Sequence, residues 1–136
     1  MKEKYKVLIV DKEEDISGAL KNLPEKVSFK VETVQNTLHA FEKIKSDKFH
    51  IVLVDIDTPE MDGLELLKQI KSYDALTQVI MMSRHSTMDK ILSSLEHGAN
   101  DYIQKPFENE EHVMQVIDYS VRKLERWREA IIQLVK

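Results

Sequence analysis

Short, strongly apolar segments alternate with segments of helical spacing along the whole chain. The five apolar segments are residues 5–10, 27–34, 49–54, 78–82 and 101–103. Two of them, at 7–10 and 51–54, contain no polar residue on either face, which is typical of strands that are buried between two layers. This alternation predicts an α/β fold in which helices cover both sides of a parallel sheet.

The segments between the strands carry apolar residues at helical spacing. They predict helices around residues 16–23, 38–44, 64–70, 88–95 and 113–134. Asn36 or Thr37 can cap the second helix, Asp62 the third and Ser86 the fourth, because short polar side chains accept hydrogen bonds from free N–H groups at a helix start. Gly98 follows the fourth helix, where a left-handed residue commonly ends a helix.

Composition excludes several classes of protein. The chain has 136 residues and no cysteine, so it fits one domain without disulfides, thiolate zinc sites or a cysteine nucleophile. No apolar run approaches the roughly 20 residues of a membrane helix, and we expect a cytoplasmic protein that contacts no membrane. The net charge of −4 argues against direct nucleic-acid binding. The histidines lack metal-ligand spacing, and we expect them at the surface: His39, His50, His85, His97 and His112.

Polar side chains stand where the predicted strands end. Asp11, Asp55 and Ser83 close the first, third and fourth strands, and Lys105 follows the fifth. Ligands of open parallel sheets bind at this edge. Carboxylates suit Mg²⁺, a hydroxyl and an ammonium suit phosphate oxygens, and a carboxylate can attack phosphorus to form an aspartyl phosphate. The set is therefore coherent for phosphoryl transfer to an aspartate.

These residues belong to longer stretches that resemble the receiver domain of two-component response regulators. Residues 7–11 (VLIVD) are similar to the acidic end of the family's first strand, and residues 55–63 (DIDTPEMDG) to its phosphoacceptor loop. Residues 98–107 (GANDYIQKPF) are similar to its fifth-strand signature, and Ser83 stands where the family has Ser or Thr. The resemblance covers about residues 5–122, in the family's order.

The resemblance implies a flavodoxin-like, doubly wound (βα)5 fold with a five-stranded parallel sheet in the order 2-1-3-4-5. The receiver domain would occupy residues 1–122, and residues 123–136 would extend the last helix. Its partner would be a sensor histidine kinase or a phosphotransferase. A receiver of this kind catalyses only its own phosphorylation and dephosphorylation and acts on no metabolite.

The resemblance also implies roles for single residues. Asp55 would accept the phosphoryl group, and Lys105 would bind its oxygens next to a cis bond before Pro106. Asp11, Asp55 and the backbone carbonyl of Asp57 would hold Mg²⁺.

The remaining implied roles concern switching. Ser83 would move to hydrogen-bond the phosphoryl group, and Tyr102 would change rotamer with it. The face formed by the fourth helix, the fifth strand and the fifth helix would change as a result. Asp57 and His85 would tune the rate of dephosphorylation.

Lys12 departs from the family's pattern, which has two adjacent acids after the first strand, the second being the usual direct metal ligand. An ammonium at this position would repel Mg²⁺. Glu13 or a shifted Asp11 could supply the missing oxygen, with weaker metal binding. Alternatively, Lys12 could replace the cation and pair with Asp55, which would make a pseudo-receiver that only docks.

Residues 55–58 (DIDT) also resemble the motif of haloacid-dehalogenase-like phosphatases, in which Asp57 would be a general acid. A strand and helix before the motif, and the lack of an acidic pair after Lys105, argue against that enzyme class.

Helical spacing continues beyond residue 122, with apolar positions alternating by three and four as in a heptad seam. The seam comprises Ile117, Ser120, Leu124, Trp127, Ile131 and Leu134. A homodimer contact, a signalling helix that leads to a downstream effector, and a frayed tail are the alternatives for this segment.

Overall fold

The computed structural model of the protein describes residues 5–12, 29–57, 62–107 and 109–135. Its strands are β1 (Tyr5–Val10), β2 (Phe29–Val34), β3 (Ile51–Asp55), β4 (Gln78–Ser83) and β5 (Asp101–Gln104). Its helices are α1 (Thr37–Ser46), α2 (Gly63–Tyr73), α3 (Met88–Glu96) and α4 (Glu110–Val135). The helix predicted at 16–23 lies outside the described residues, as does Glu13. No helix of the described part of the chain is long and apolar enough to cross a membrane.

All five strands are parallel and lie in the order β2-β1-β3-β4-β5, which confirms the predicted sheet. The register pairs Val10 of β1 with Val54 of β3 and Asp55 with Met82 of β4. The carboxyl ends of the central strands therefore meet at one edge.

The sheet has a core on each face because successive side chains of a strand point to opposite sides. Ile9, Leu53 and Met82 face α4, and Leu8, Val52 and Met81 face α1 and α2; all six are at most 1% exposed. Burial on both faces explains why the central strands read as continuous apolar runs.

Most helix ends follow the sequence prediction. Asn36 caps α1 by accepting from the His39 N–H at 2.8 Å, and Asp62 caps α2 by accepting from the Leu64 N–H at 3.0 Å. Gly98 has a φ of 93°, the left-handed conformation predicted after the fourth helix.

The predicted cap of the fourth helix, Ser86, was wrong. Thr87 caps α3 by accepting from the Lys90 N–H at 3.2 Å. The Ser86 hydroxyl instead forms a 2.8 Å hydrogen bond with the Tyr102 hydroxyl, so the preceding loop is one residue longer than predicted.

The apolar stripe of α3 faces solvent. Met88 is 70% exposed, Leu92 46% and Leu95 65%, whereas the buried residue of this helix is Ser94. The spacing predicted the helix, but it did not determine which neighbours would cover the apolar side.

The surface prediction was wrong for His50, which is 8% exposed. Its Nδ1 accepts a hydrogen bond from the Lys6 N–H at 2.9 Å, and its ring meets the Tyr5 ring edge-on. A buried backbone N–H requires an acceptor, and the imidazole provides it.

The heptad-like seam of α4 divides into two halves. Ile117, Ser120 and Leu124 are buried within the domain. Trp127, Ile131 and Leu134 are 60%, 45% and 85% exposed. The domain therefore covers the first half itself, and only the second half can meet another polypeptide.

Candidate functional site

The polar residues at the strand ends converge in the fold. Lys105 Nζ donates to Asp11 Oδ2 at 2.5 Å and to Asp55 Oδ2 at 3.0 Å. The three residues are 4–6% exposed, and Ser83 is 0% exposed. The parallel register explains the convergence, because residues that follow neighbouring strands meet at the same edge of the sheet.

Ion pairs with a single lysine hold this buried cluster together. Two carboxylates, Asp11 and Asp55, face the one ammonium of Lys105. Burial lowers the pKa of Lys105, but the hydrogen bonds to both carboxylates outweigh burial and raise the pKa above its ordinary value. Lys105 is therefore a cation at neutral pH, and it pairs with both carboxylates.

The backbone after β3 is held in place around Asp55. The Asp57 N–H donates to Asp55 Oδ1 at 2.9 Å, and the Ile56 N–H donates to the Met82 oxygen at 2.8 Å. A Cβ on Gly63 would lie 2.7 Å from Ile56 Cα and 2.8 Å from the Asp55 oxygen. Only glycine permits this close approach, so the start of α2 fixes the end of β3.

The Asp57 carboxylate has two partners. Its Oδ2 accepts from Ser83 Oγ at 2.9 Å, and its Oδ1 accepts from Lys90 Nζ at 2.9 Å. Burial raises the pKa of Asp57, but the hydrogen bonds from Lys90 and Ser83 outweigh it, and the pKa lies below its ordinary value. Sequence reasoning missed Lys90, because no motif marks a lysine in the first turn of α3 as a partner of β3.

The predicted switch residues lie near the same edge. Ser83 Oγ accepts from the His85 N–H at 3.1 Å, while His85 itself is exposed. Tyr102 is half-buried, and its hydroxyl bonds to Ser86 in the loop before α3. β5 is thus joined to the loop that follows β4.

The predicted cis bond precedes Pro106. The Lys105 N–H donates to the Ser83 oxygen at 2.9 Å, which anchors the residue beside β4.

Lys12 is exposed. The ammonium that contacts both Asp11 and Asp55 belongs to Lys105. Residues 58–61 of the predicted phosphoacceptor loop, like Glu13, lie outside the described residues.

The fold and the site define a class of protein. Residues 7–118 match the family model of the response regulator receiver domain, and the chain belongs to this family. It is therefore a receiver domain of the response regulators of two-component systems.

Curated relatives differ in length. The chain is 35% identical to the chemotaxis protein CheY of Bacillus subtilis over 105 residues, which cover 76% of this chain and 88% of CheY. It is 35% identical to the transcriptional regulatory protein ZraR of Klebsiella oxytoca over 106 residues, covering 78% of this chain but 24% of ZraR. The chain thus spans about a quarter of the longer relative.

A solved structure has the same fold. The CheY-like response regulator receiver domain protein from Methanospirillum hungatei JF-1 superimposes with a TM-score of 0.84 at 27% identity, covering 91% of this chain and 98% of that one.

Proposed function

We propose that the protein is a phosphorylation-controlled switch in which Asp55 accepts a phosphoryl group from a histidine kinase or a phosphotransferase. The observation that carries this proposal is the contact of the Asp55 carboxylate with Lys105 at the carboxyl edge of the sheet. An ammonium at this position can bind the oxygens of a phosphoryl group, and the carboxylate beside it is the nucleophile.

In the transfer step, a carboxylate oxygen of Asp55 attacks the phosphorus of the donor. The new O–P bond forms as the bond from phosphorus to the leaving group breaks, and the leaving group keeps the electron pair. The leaving group is the imidazole nitrogen of a phosphohistidine or the acetate of acetyl phosphate. Lys105 stabilises the negative charge that spreads over the phosphoryl oxygens.

The residues of the site fit Mg²⁺. Asp11, Asp55 and the Asp57 backbone carbonyl offer the oxygen ligands that this ion prefers, with Glu13 as a further donor. When bound, the ion would supply positive charge to the phosphoryl oxygens. Lys12 adds a positive charge, like that of Mg²⁺ itself, next to Asp11 in the sequence. We therefore propose that this chain binds Mg²⁺ more weakly than is usual for the family.

Ser83 and Tyr102 would transmit the modification. A hydrogen bond from Ser83 to the phosphoryl group would change the loop that holds Ser86, and with it the bond from Ser86 to Tyr102. The output face would comprise α3, β5 and α4, with Asp57 and His85 tuning the lifetime of the phosphorylated form.

The pairing of Asp57 argues against the phosphatase alternative. A general acid must carry a proton near neutral pH, whereas ion pairing with Lys90 lowers the pKa of Asp57. Turnover of a generic phosphate ester distinguishes the two functions, since a phosphatase gives many turnovers and a receiver gives one phosphorylated residue per chain.

The pseudo-receiver alternative would make Lys12 the permanent substitute for a cation. The contact of Lys105, rather than Lys12, with Asp55 supports a site that can be phosphorylated. A protein that binds its partner equally well before and after treatment with a phosphodonor would favour the pseudo-receiver.

The end of α4 would contact the polypeptide that receives the signal. Beyond Leu124, the exposed side chains of Trp127, Ile131 and Leu134 form an apolar strip, and apolar strips of this kind mark contacts with other polypeptides. We propose that residues 123–136 extend a receiver domain of residues 1–122 toward a downstream effector or a second copy. The lack of cysteine is in keeping with a cytoplasmic setting.

Mass spectrometry after incubation with acetyl phosphate and Mg²⁺ tests the proposed function. We expect a mass increase of one phosphoryl group in the wild type and none in Asp55→Asn. The matched control is Asp62→Asn, which changes an exposed aspartate at the start of α2 and should still be labelled. Equal labelling of Asp55→Asn, or no labelling of the wild type, would refute the proposal.

A further inference from the structure

Lys90 connects three parts of the protein near the site. It lies in the first turn of α3, and its Nζ donates to Asp57 Oδ1 at 2.9 Å. The same ammonium donates to the backbone oxygen of His85 at 2.8 Å. One side chain therefore joins α3 to the loop after β3 and to the loop after β4.

The pair of Lys90 and Asp57 reaches Ser83 through the second carboxylate oxygen. Ser83 Oγ donates its proton to Asp57 Oδ2 at 2.9 Å. A serine hydroxyl has a single proton, so it cannot donate to an oxygen on Asp55 at the same time. The position of the Asp57 carboxylate thus decides where the Ser83 proton points.

Because Ser83 is buried, its hydroxyl has two states, which differ in the acceptor of its hydrogen bond. Ser83 is 0% exposed, and a buried hydroxyl that loses its acceptor without finding another is costly. Before phosphorylation, the acceptor is Asp57, held by Lys90. An oxygen of a phosphoryl group on Asp55 would offer the alternative acceptor, and its arrival would shift the population.

We infer that Lys90 is a positioning residue that fixes Asp57 and, through it, keeps the Ser83 hydroxyl bonded to Asp57 until Asp55 is phosphorylated. This inference rests on the proposed function. It adds an electrostatic latch to the unphosphorylated state, formed by Lys90, Asp57 and Ser83.

Through Lys90, the latch also couples the site to helix α3. When Ser83 leaves Asp57, Lys90 remains the link between that carboxylate and the helix. The same helix carries the exposed side chains of Met88, Leu92 and Leu95. A change in the latch therefore acts on the first turn of a helix that presents an apolar surface.

The exchange rate of the His85 N–H with water, measured by NMR on the unphosphorylated protein, reports the latch. This N–H donates to Ser83 Oγ at 3.1 Å, so it exchanges faster when Ser83 is less firmly held. We expect Lys90→Met to accelerate exchange by about threefold, the effect of losing one partly exposed ion pair. Lys90→Arg, which keeps the charge, should restore a rate close to that of the wild type.

A second background separates action through Asp57 from the direct contact of Lys90 with the His85 oxygen. In Asp57→Ala, Lys90 has no carboxylate to position, so Lys90→Met should add no further acceleration. The matched control, Lys68→Met, removes an exposed lysine that pairs with Glu65 on α2 and should leave the rate unchanged.

Two outcomes would overturn the latch: a wild-type rate in Lys90→Met, or acceleration by Lys90→Met that persists in the Asp57→Ala background. The measurement uses unphosphorylated protein, so it is independent of labelling by acetyl phosphate. Failure of Asp55 labelling would refute the proposed function, whereas an unchanged His85 rate would refute the latch alone.

Discussion

Two lysine–aspartate clusters lie at the same edge of the sheet, and they differ mainly in burial. The side chains of Lys105, Asp11 and Asp55 are 2%, 2% and 6% exposed. Those of Lys90 and Asp57 are 28% and 27% exposed. The N–O distances are nearly equal, at 3.0 Å from Lys105 to Asp55 and 2.9 Å from Lys90 to Asp57.

The difference shows how one kind of contact can serve two purposes. Breaking a buried ion pair leaves a charge that water cannot reach, so the folded state depends on it. A half-exposed pair is rehydrated when it breaks and contributes little to folding. We therefore expect the Lys105 cluster to control stability and transfer chemistry, and the Lys90 cluster to control conformation.

The largest effect is expected from Lys105→Met. It removes the ammonium that contacts the buried carboxylates of Asp11 and Asp55, and the free energy of unfolding should fall by about 3 kcal/mol in metal-free buffer. Urea denaturation measures the loss. A loss below about 1 kcal/mol would place this cluster in the same class as a surface pair.

The pH dependence sharpens the same contrast. Because the folded pKa of Lys105 is raised, its stabilisation is fully present below the ordinary lysine value of 10.5 and is lost as the pH rises through the folded value. The difference in unfolding free energy between wild type and Lys105→Met should stay constant from about pH 6 to about pH 9. A difference that already declines in that range would show that Lys105 loses its proton early.

Lys12→Asp adds an acid beside the buried cluster. Ligand charge tunes affinity for hard cations, and we expect the variant to bind Mg²⁺ about tenfold more tightly than the wild type. Titration monitored by NMR gives both dissociation constants. Equal affinities would show that Lys12 does not weaken metal binding.

Asp57→Asn removes the carboxylate of the half-exposed cluster. Asp57 is paired with Lys90 and has a lowered pKa, so it is a weak base, whereas an asparagine amide can both donate and accept hydrogen bonds and so orient an attacking water. We expect the phosphorylated form of the variant to decay about threefold faster. Loss of the phosphoryl mass with time measures the lifetime, and an unchanged or longer lifetime would contradict this role.

The smallest effect is expected for the stability of Lys90→Met. Its free energy of unfolding should change by less than about 1 kcal/mol, even though the His85 exchange rate changes. Urea denaturation beside Lys105→Met makes the comparison direct. A loss as large as that of Lys105→Met would show that exposure does not separate the two clusters.

The sequence predicted the location of a residue best where its position along a strand determines where it lies in the fold. Asp11, Asp55 and Lys105 lie at or just after the carboxyl ends of strands of one parallel sheet, so their convergence could be predicted from strand ends alone. Asn36 and Asp62 were predictable as caps because capping depends on local hydrogen bonds.

It was least informative where the outcome depends on how a helix is rotated and where it begins. Thr87 rather than Ser86 caps α3. Lys90, in the first turn of this helix, reaches Asp57 across 33 positions of the chain, a contact that depends on how the helix packs. Likewise, the buried His50 accepts a hydrogen bond from the Lys6 N–H, a tertiary contact that no local pattern encodes.

Chemical mapping of the phosphorylated residue tests the central claim most directly. Borohydride reduces an aspartyl phosphate to homoserine, which peptide mass spectrometry can locate in the chain. After treatment with acetyl phosphate and Mg²⁺, we expect homoserine at position 55 and at no other aspartate. Homoserine at Asp11 or Asp57, or none at position 55, would contradict the assignment of Asp55 as the phosphoacceptor.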